Sequence, residues 1–325
     1  MHRNTIFTTA LLASFSGLSP AAPSDGAAGS QSAPLLYGAA AGSPPSQVED
    51  LTIRGEPPML GVFWTREVHS ARPHDARRST PNMTYHGGKI LTSTTTKAIF
   101  WGTSWGSYTG DKITGMDDWY SGFGGSNYAK TTTEYTGSNG TTTVGASSTY
   151  GGHIIDTSAA SGGGSSSAIL AEVCKVVTSP DPSGNGYYAV YTDLPRGNAS
   201  YCAWHSAGSC NGQAIQFAFF WKLDGDAGCD PQDTTTGHSQ GLAAIANVSG
   251  HELAEAMTDP ASPGAWYDGS GAENGDKCAW TFGGPSVTFS NGTKWKLQGE
   301  WSNKAYTAGT GYPNSSGQNG CLGGL

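Results

Sequence analysis

Apolar and polar residues alternate in short blocks from residue 82 onward, and this pattern predicts a domain of mixed strands and helices. Apolar residues at three- and four-residue steps predict helices, whereas short continuous apolar runs rich in aromatic residues predict strands. An Asn291-Gly292 pair between two short runs predicts a hairpin turn. We predict strands over residues 97–101, 141–150, 186–192 and 213–221, helices over 116–123, 166–177 and 239–258, and a hairpin over 286–297.

The longest predicted helix spans residues 239–258, and Pro260 is expected to end it because proline lacks the N–H that a helix interior requires. The predicted order is mixed strands and helices, then an aromatic strand, then this long helix. That order predicts an α+β fold with a mixed twisted sheet. It is similar, at the level of fold alone, to the zincin peptidases.

The first 80 residues differ in composition from the rest of the chain and divide into two predicted segments. Residues 1–22 begin with positive charge, continue with an apolar stretch and end in small residues, which is typical of a secretory signal peptide. A single N-terminal membrane anchor is the alternative. Residues 23–80 are rich in Ala, Gly, Ser and Pro, and we predict a disordered leader or a propeptide that ends at Arg77-Arg78. Residues 81–325 then form a single globular domain.

The cysteines and the net charge of the chain indicate what kind of secreted protein this is. The six cysteines are expected to form three disulfides, with their pairing left open by the sequence. The net charge of −8 argues against a nucleic-acid partner, since phosphates are bound by Lys and Arg. No apolar run after the signal peptide is long enough to span a bilayer. Six Asn-x-Ser/Thr sequons are candidate glycosylation sites, at Asn82, Asn139, Asn198, Asn247, Asn291 and Asn314.

Residues 237–255 (GHSQGLAAIANVSGHELAE) contain parts of two enzyme signatures. Residues 237–241 fit G-x-S-x-G, the turn that exposes the nucleophile of a serine hydrolase. That motif needs a hydrophobic strand before it, but residues 228–236 are typical of a polar loop. The only later histidine, His251, would lie roughly 18 Å from Ser239 along one helix. We therefore interpret Ser239 as the N-cap of the helix rather than as a nucleophile.

The segment His251-Glu252-Leu253-Ala254-Glu255 differs by one residue from H-E-x-x-H, the zinc-binding helix of metallopeptidases. Positions i and i+4 share one face of a helix, so His251 and Glu255 are candidate ligands of one metal ion. Glu252 takes the position of the general base, which removes a proton from a water that the metal activates. Carboxylates bind zinc, but Glu255 in place of a second histidine also admits a harder cation such as Ca²⁺ or Mn²⁺.

A third protein ligand is expected from the Gly-rich loop that follows the helix, where Glu273 and Asp276 precede Cys278. A disulfide at Cys278 would hold this loop in place. Asp259 stands roughly 12 Å along the helix axis from the histidine and is too short to reach back, so it is expected to shape a turn. His238 is a weaker candidate. Two alternatives stay open: the loop acids form a calcium site of their own, or the helix is an ordinary amphipathic one with surface acids.

Several short motifs resemble those of the secreted phosphate-induced, or EXORDIUM-like, proteins. The resemblance covers most of residues 82–325 and implies an extracellular, cell-wall-associated protein. The plant branch is linked to growth and phosphate responses and has no established catalysis, whereas microbial-type members look like retained or degenerate metallopeptidases. The family offers no established catalytic residue, so the metal prediction depends on spacing alone. The motifs lie at residues 84–92 and 98–102, at His251–Glu255 with Thr258-Asp259-Pro260, at Trp266-Tyr267 and at Gly320-Cys321-Leu322.

Two functional hypotheses follow from these features. The first is a secreted zinc-dependent hydrolase of zincin-like α+β fold, a peptidase that acts on proteins or peptides. It has a long metal-motif helix, disulfides and a C-terminal β-hairpin region, with Glu252 as base and His251, Glu255 and Glu273 or Asp276 as metal ligands. The second is a non-catalytic extracellular protein of the EXORDIUM-like kind, stabilised by calcium. Its ten tryptophans would stack on cell-wall polymers.

Overall fold

The computed structural model describes residues 59–72, 81–161 and 163–325, which form a mixed α+β fold. The predicted signal peptide, residues 1–22, lies outside the described residues. The helices are α1 (Arg66–Ala71), α2 (Lys112–Phe123), α3 (Ser166–Val176), α4 (Gln240–Thr258) and α5 (Asn303–Ala308). The strands are β1 (Leu60–Trp64), β2 (Thr84–Tyr85), β3 (Thr94–Trp101), β4 (Ser148–Asp156), β5 (Gly186–Pro195), β6 (Tyr201–Cys210), β7 (Gln213–Lys222), β8 (Trp266–Tyr267), β9 (Val287–Thr288), β10 (Lys294–Trp295), β11 (Glu300–Trp301), β12 (Tyr312–Pro313) and β13 (Asn319–Leu322).

Six strands form one mixed sheet in the order β1-β6-β7-β5-β3-β4. The pairs β3–β4, β3–β5 and β5–β7 are parallel, whereas β6–β7 and β1–β6 are antiparallel. The C-terminal part of the chain adds the small hairpin β9–β10 and the short sheet β11-β13-β12. The predicted mixed sheet and C-terminal hairpin are therefore confirmed.

Helices cover both faces of the central sheet. Adjacent strand residues point to opposite faces, so Phe220 packs in one core cluster with Leu242 of α4, and Phe219 packs in the other with Ile169 of α3. A strand buried on both faces needs apolar residues at consecutive positions. This requirement explains why β5 and β7 have continuous apolar sequences.

β1 and α1 belong to the folded domain, although the sequence places residues 59–72 in a leader that extends to residue 80. β1 lies antiparallel to β6, with Leu60 opposite His205, and Val62 and Phe63 are fully buried. The predicted boundary at residue 80 is thus wrong for this segment. A five-residue strand whose partner lies far along the chain leaves no local periodicity from which to predict it. The rest of the predicted leader, residues 23–58 and 73–80, lies outside the described residues.

The predicted helices are confirmed as α2, α3 and α4, and the strands predicted at 97–101, 186–192 and 213–221 lie within β3, β5 and β7. The strand predicted over 141–150 is misplaced, because β4 begins only at Ser148. Upstream of it, Thr143 makes just an isolated bridge to Thr136. β6 has no counterpart among the predicted strands, and the structure places it between β1 and β7.

Three disulfides join Cys174 to Cys210, Cys202 to Cys229 and Cys278 to Cys321. They confirm the predicted number and supply the pairing that the sequence left open. Disulfides of this kind form in oxidising compartments, so they are compatible with an extracellular location. Within the described residues, no helix has both the length and the apolar content needed to cross a membrane.

One of the six predicted glycosylation sequons is inaccessible. Asn247 lies inside α4, is fully buried and accepts a hydrogen bond from the backbone N–H of Gln298 at 2.8 Å. A glycan on this side chain is incompatible with the packed helix.

Candidate metal centre

α4 is buried on all sides and begins at the predicted cap. The Ser239 hydroxyl oxygen accepts a hydrogen bond from the backbone N–H of Leu242 at 3.2 Å, and the Ser239 hydroxyl donates to Asp111 at 2.6 Å. Ser239 is therefore an N-cap, as the sequence predicts. Every residue from Gly241 to Thr258 is buried, which excludes the alternative of an amphipathic helix with surface acids.

The structure buries the side chains of His251, Glu252 and Glu255 completely. His251 and Glu255 are one helical turn apart, and Nε2 of His251 lies 3.1 Å from Oε2 of Glu255. The helix thus directs these groups into the protein interior, where an isolated charge is costly unless it is paired or binds a metal.

The loop after the helix brings both predicted acids to this point. Asp276 begins a 3₁₀ turn (Asp276–Cys278), and its Oδ1 lies 3.7 Å from Nε2 of His251. Its backbone N–H donates to Oε1 of Glu255 at 2.9 Å, and the N–H of Glu273 donates to Oδ2 of Asp276 at 3.1 Å. The Cys278–Cys321 disulfide lies at the end of this turn and fixes the loop, as expected. All five predicted site residues therefore lie in one cluster.

His205 is a sixth member of the cluster, and the sequence analysis missed it. It projects from β6, is fully buried, and places Nε2 at 3.6 Å from Oε2 of Glu273 and 3.8 Å from Oε2 of Glu255. Donor atoms of His205, Glu252 and Glu255 lie within 4.8 Å of one another, as do those of His251, Glu255 and Asp276. The two overlapping triads share Glu255. The only signal in the sequence was a histidine next to an aromatic residue and near a cysteine, which is too common to be specific.

Several polar atoms of the cluster have no hydrogen-bond partner. They are both ring nitrogens of His205, both carboxylate oxygens of Glu252, and Oε2 of Glu273. Buried polar groups in proteins are almost always hydrogen-bonded, so several unsatisfied polar atoms in one cluster need an explanation. A cation bound in the cluster would give buried donors of this kind a partner.

Burial dominates the electrostatics of the cluster. Burial, reinforced by the nearby His251, lowers the pKa of His205 to about 3. Burial and then the neighbouring Glu255 raise the pKa of both Glu252 and Glu273 well above the usual value for a carboxyl group. His205 is therefore a neutral imidazole, the form that binds metal ions.

Neighbouring residues hold the donor groups in position. The Gln298 amide lies 3.0 Å from Nδ1 of His251 and also donates to the carbonyl of Gly275 at 2.8 Å, so Nε2 is the ring nitrogen that faces Glu255. A Cβ on Gly275 would lie 2.6 Å from Nδ1 of His251, and one on Gly61 would lie 2.0 Å from Oε2 of Glu255. Glycine at both positions lets the backbone approach the donors closely.

The two weaker sequence candidates lie outside the cluster. Asp259 accepts a hydrogen bond from the backbone N–H of Ala265 at 2.6 Å and shapes the turn after α4, as predicted. His238 stacks on Trp295 with ring centroids 4.2 Å apart.

A buried ion pair stabilises the loop that carries Glu273 and Asp276. Lys277 donates to Asp268 at 2.5 Å, and the two residues are only 9% and 5% exposed. Burial alone would raise the pKa of Asp268, but the Lys277 ammonium and the hydrogen bonds from Lys277 and Ser270 outweigh it and lower the pKa. The stabilisation from a depressed carboxyl pKa is present above the unfolded value of about 3.9 and is lost as the pH falls through the lower folded value.

We expect Lys277→Met to lower the free energy of unfolding by about 3–5 kcal/mol at pH 7, because it leaves a buried carboxylate without its partner. Urea unfolding at pH 7 measures the effect. Lys130→Met, at an exposed lysine, is the control and should change stability by less than about 0.5 kcal/mol. Equal shifts for the two variants would contradict the assignment of a buried pair.

The ten tryptophans, all within the described residues, do not form an exposed binding platform. Seven of the ten tryptophans are buried, and Trp64, Trp221 and Trp266 are half-buried. The rings therefore fill the core, and the expected stacking on cell-wall polymers gains no support.

Comparison with known proteins identifies no relative: no family model, no curated protein and no solved structure matches this chain.

Proposed function

We propose that the protein is an extracellular metal-dependent hydrolase, a peptidase that uses the cluster on α4, β6 and the 273–276 loop. The observation that carries this proposal is Glu252, a fully buried carboxyl group one residue after His251 and within 4.8 Å of the donors of His205 and Glu255. A group in this position serves as a general base or acid better than as a structural element.

The donor set fits zinc. Two imidazoles and several carboxylates lie together, and nitrogen donors favour Zn²⁺ over Ca²⁺, which prefers six to eight oxygen ligands. His251, Glu255 and Asp276 would hold the ion, because their donor atoms form one triad and His251 is oriented by Gln298. His205 and Glu273 supply further donors, because Nε2 of His205 lies 3.8 Å from Oε2 of Glu255 and 3.6 Å from Oε2 of Glu273. Carboxylates remain ligands for calcium as well, so the metal that binds is part of the test.

A bound divalent metal would acidify a water molecule and polarise the carbonyl group of a substrate. Glu252 would accept the proton from the water and deliver it to the leaving amine. Its raised pKa, caused first by burial, suits a group that takes up a proton in one step and gives it back in the next. The walls of the site exclude bulk water, which strengthens each electrostatic interaction inside it.

Metal binding should release protons. Burial and the neighbouring Glu255 favour the protonated forms of Glu252 and Glu273 in the metal-free protein, and a cation displaces those protons. Low pH therefore favours the metal-free state, and affinity should rise with pH by about tenfold per unit for each proton released. Calorimetric titration with zinc in two buffers of different ionisation enthalpy measures the release. Identical heats in both buffers would contradict it.

A second candidate function is a structural metal site in a non-catalytic extracellular protein, as the resemblance to EXORDIUM-like proteins implies. The complete burial of His205, His251, Glu252 and Glu255 favours it, since a structural site is closed to solvent. The two functions differ in one respect: a structural site stabilises the fold without hydrolysis.

The test is hydrolysis of a fluorescently labelled unfolded protein by metal-depleted chain and by the same chain after addition of zinc or calcium. The proposal expects hydrolysis only with zinc, and a loss of zinc-dependent hydrolysis in His205→Ala. Zinc that raises thermal stability without any hydrolysis would instead support the structural site.

A further inference from the structure

We propose that the edge of β6 beside the metal cluster binds an extended polypeptide substrate, and that β1 of the same chain occupies this edge in the structure. This inference rests on the proposed hydrolase function and names its substrate class and the segment that blocks the site.

β1 lies directly over the donor atoms. It pairs antiparallel with β6, and Leu60 stands opposite His205. At the next residue, Gly61, an added Cβ would lie 2.0 Å from Oε2 of Glu255 and 2.5 Å from Nε2 of His205. No side chain separates the Gly61 backbone from the cluster. The peptide bond of a substrate would need to approach the cluster equally closely to be cleaved.

Side chains of β1 complete the enclosure. The Phe63 ring packs edge-on against His251 with ring centroids 4.5 Å apart, and the Trp64 carbonyl accepts a hydrogen bond from the Trp280 indole at 3.0 Å. β1 thus contacts β6 and α4, which carry site residues, and Trp280, which follows the 3₁₀ turn that begins at Asp276. Backbone pairing at a sheet edge, with alternate side chains in flanking pockets, is how proteins recognise extended peptides.

β1 is packed into the core, with Val62 and Phe63 fully buried, but only one strand of the sheet pairs with it. It is an outer strand, and the sheet β6-β7-β5-β3-β4 is continuous without it. All three disulfides lie between Cys174 and Cys321, so none fixes residues 59–72. Its pairing with β6 is interrupted twice, between Leu60 and Phe63 and between Phe63 and Trp64. Interrupted pairing at an edge without a covalent tie is weaker than the regular pairing of β6 with β7.

Further contacts of this segment lie away from the cluster. The backbone N–H of Thr65 donates to the Ser200 carbonyl at 2.9 Å, and Arg66 donates to the Asp230 carbonyl at 2.6 Å and lies over the Trp280 ring. These contacts allow β1 to be loosened without changing a metal donor.

The first experiment cuts the full, zinc-loaded chain at a protease recognition sequence introduced between Arg72 and Pro81. After release of the N-terminal segment, hydrolysis of the unfolded protein should be about tenfold faster or more. The reason is that the state in which the edge of β6 is free to bind substrate is no longer a minor population. A labelled peptide of residues 59–65 should bind the released chain and inhibit it. The same peptide with Gly61→Ala should bind about 10–100-fold more weakly, since its methyl group collides with Glu255 and His205.

The outcomes separate the two proposals. Equal hydrolysis by cut and uncut chains, with no peptide binding, would overturn the edge site and leave the hydrolase function standing. Retention of residues 59–72 after cutting and dilution would also overturn it, because β1 would then be a permanent strand. Peptide binding that depends on Gly61, without hydrolysis by either form, would support the edge site and contradict the hydrolase.

A second variant tests the uncut chain. Arg66→Ala removes the hydrogen bond to the Asp230 carbonyl and should accelerate hydrolysis. Lys175→Ala, which breaks an ion pair with Asp156 on β4 at the opposite edge of the sheet, should not. Slower hydrolysis in both variants would show that β1 acts only as structural support and would overturn the proposal.

Discussion

Glu252→Gln should lower kcat/KM for peptide hydrolysis by about 10²–10⁴-fold while the protein still binds stoichiometric zinc. The substitution keeps the shape of the side chain and removes its capacity to accept a proton. Because the ligand triad His251, Glu255 and Asp276 does not include Glu252, zinc content should remain at the wild-type level. The measurements are steady-state hydrolysis and the zinc content of the same sample.

Glu300→Gln is the matched control for this prediction. Glu300 is also fully buried, and its carboxylate accepts a hydrogen bond from the Tyr128 hydroxyl at 2.6 Å, a role that glutamine can keep. Hydrolysis should change by less than about threefold, since ΔΔG‡ for a group outside the reaction is small. Similar losses of activity in both variants would show a general sensitivity to buried carboxyl groups and would contradict a special role of Glu252.

Gly275→Ala should weaken zinc binding by about 10–100-fold, because residues that position the ligands matter nearly as much as the ligands themselves. Its backbone is helical (φ −70°, ψ −44°), so alanine introduces no backbone strain. The added Cβ would, however, lie 2.6 Å from Nδ1 of His251 and 2.9 Å from Oε1 of Glu255. The displacement of these two groups should also lower the free energy of unfolding by about 1–3 kcal/mol.

Gly284→Ala is the control for this substitution, since an added Cβ meets nothing within 4 Å there. Both its zinc affinity and its stability should match wild type within about 0.5 kcal/mol. Competitive titration against a fluorescent chelator gives the affinities. An unchanged affinity in Gly275→Ala would place the metal somewhere other than on His251 and Glu255.

The helix and its acidic loop were predictable because their signals are local. A serine cap, apolar residues at helical spacing and Pro260 define α4, and the one-turn spacing of His251 and Glu255 determines that they share a face. The loop acids follow within a few residues of a cysteine, and the disulfide from Cys278 limits where they can lie. The proximity of these residues could therefore be predicted without knowing the topology of the sheet.

His205 and β1 were not predictable because their signals are long-range. The first six residues of β6 are all buried, so the strand lacks the alternation that marks a half-exposed one. β1 belongs to the domain only through its pairing with β6 and its packing on α4 and Trp280. Its five apolar residues follow the Pro- and Gly-containing stretch 55–58 and form a run too short for periodicity alone to predict a strand.

The central claim, that the cluster on α4 is a metal site, is tested most directly by elemental analysis of the purified protein. We expect stoichiometric zinc in the wild type and its loss in folded His251→Ala and Glu255→Gln variants. A folded wild type without metal after incubation with zinc would contradict the claim. Metal that persists at full stoichiometry in His251→Ala, such as calcium on the 268–276 loop, would contradict it as well.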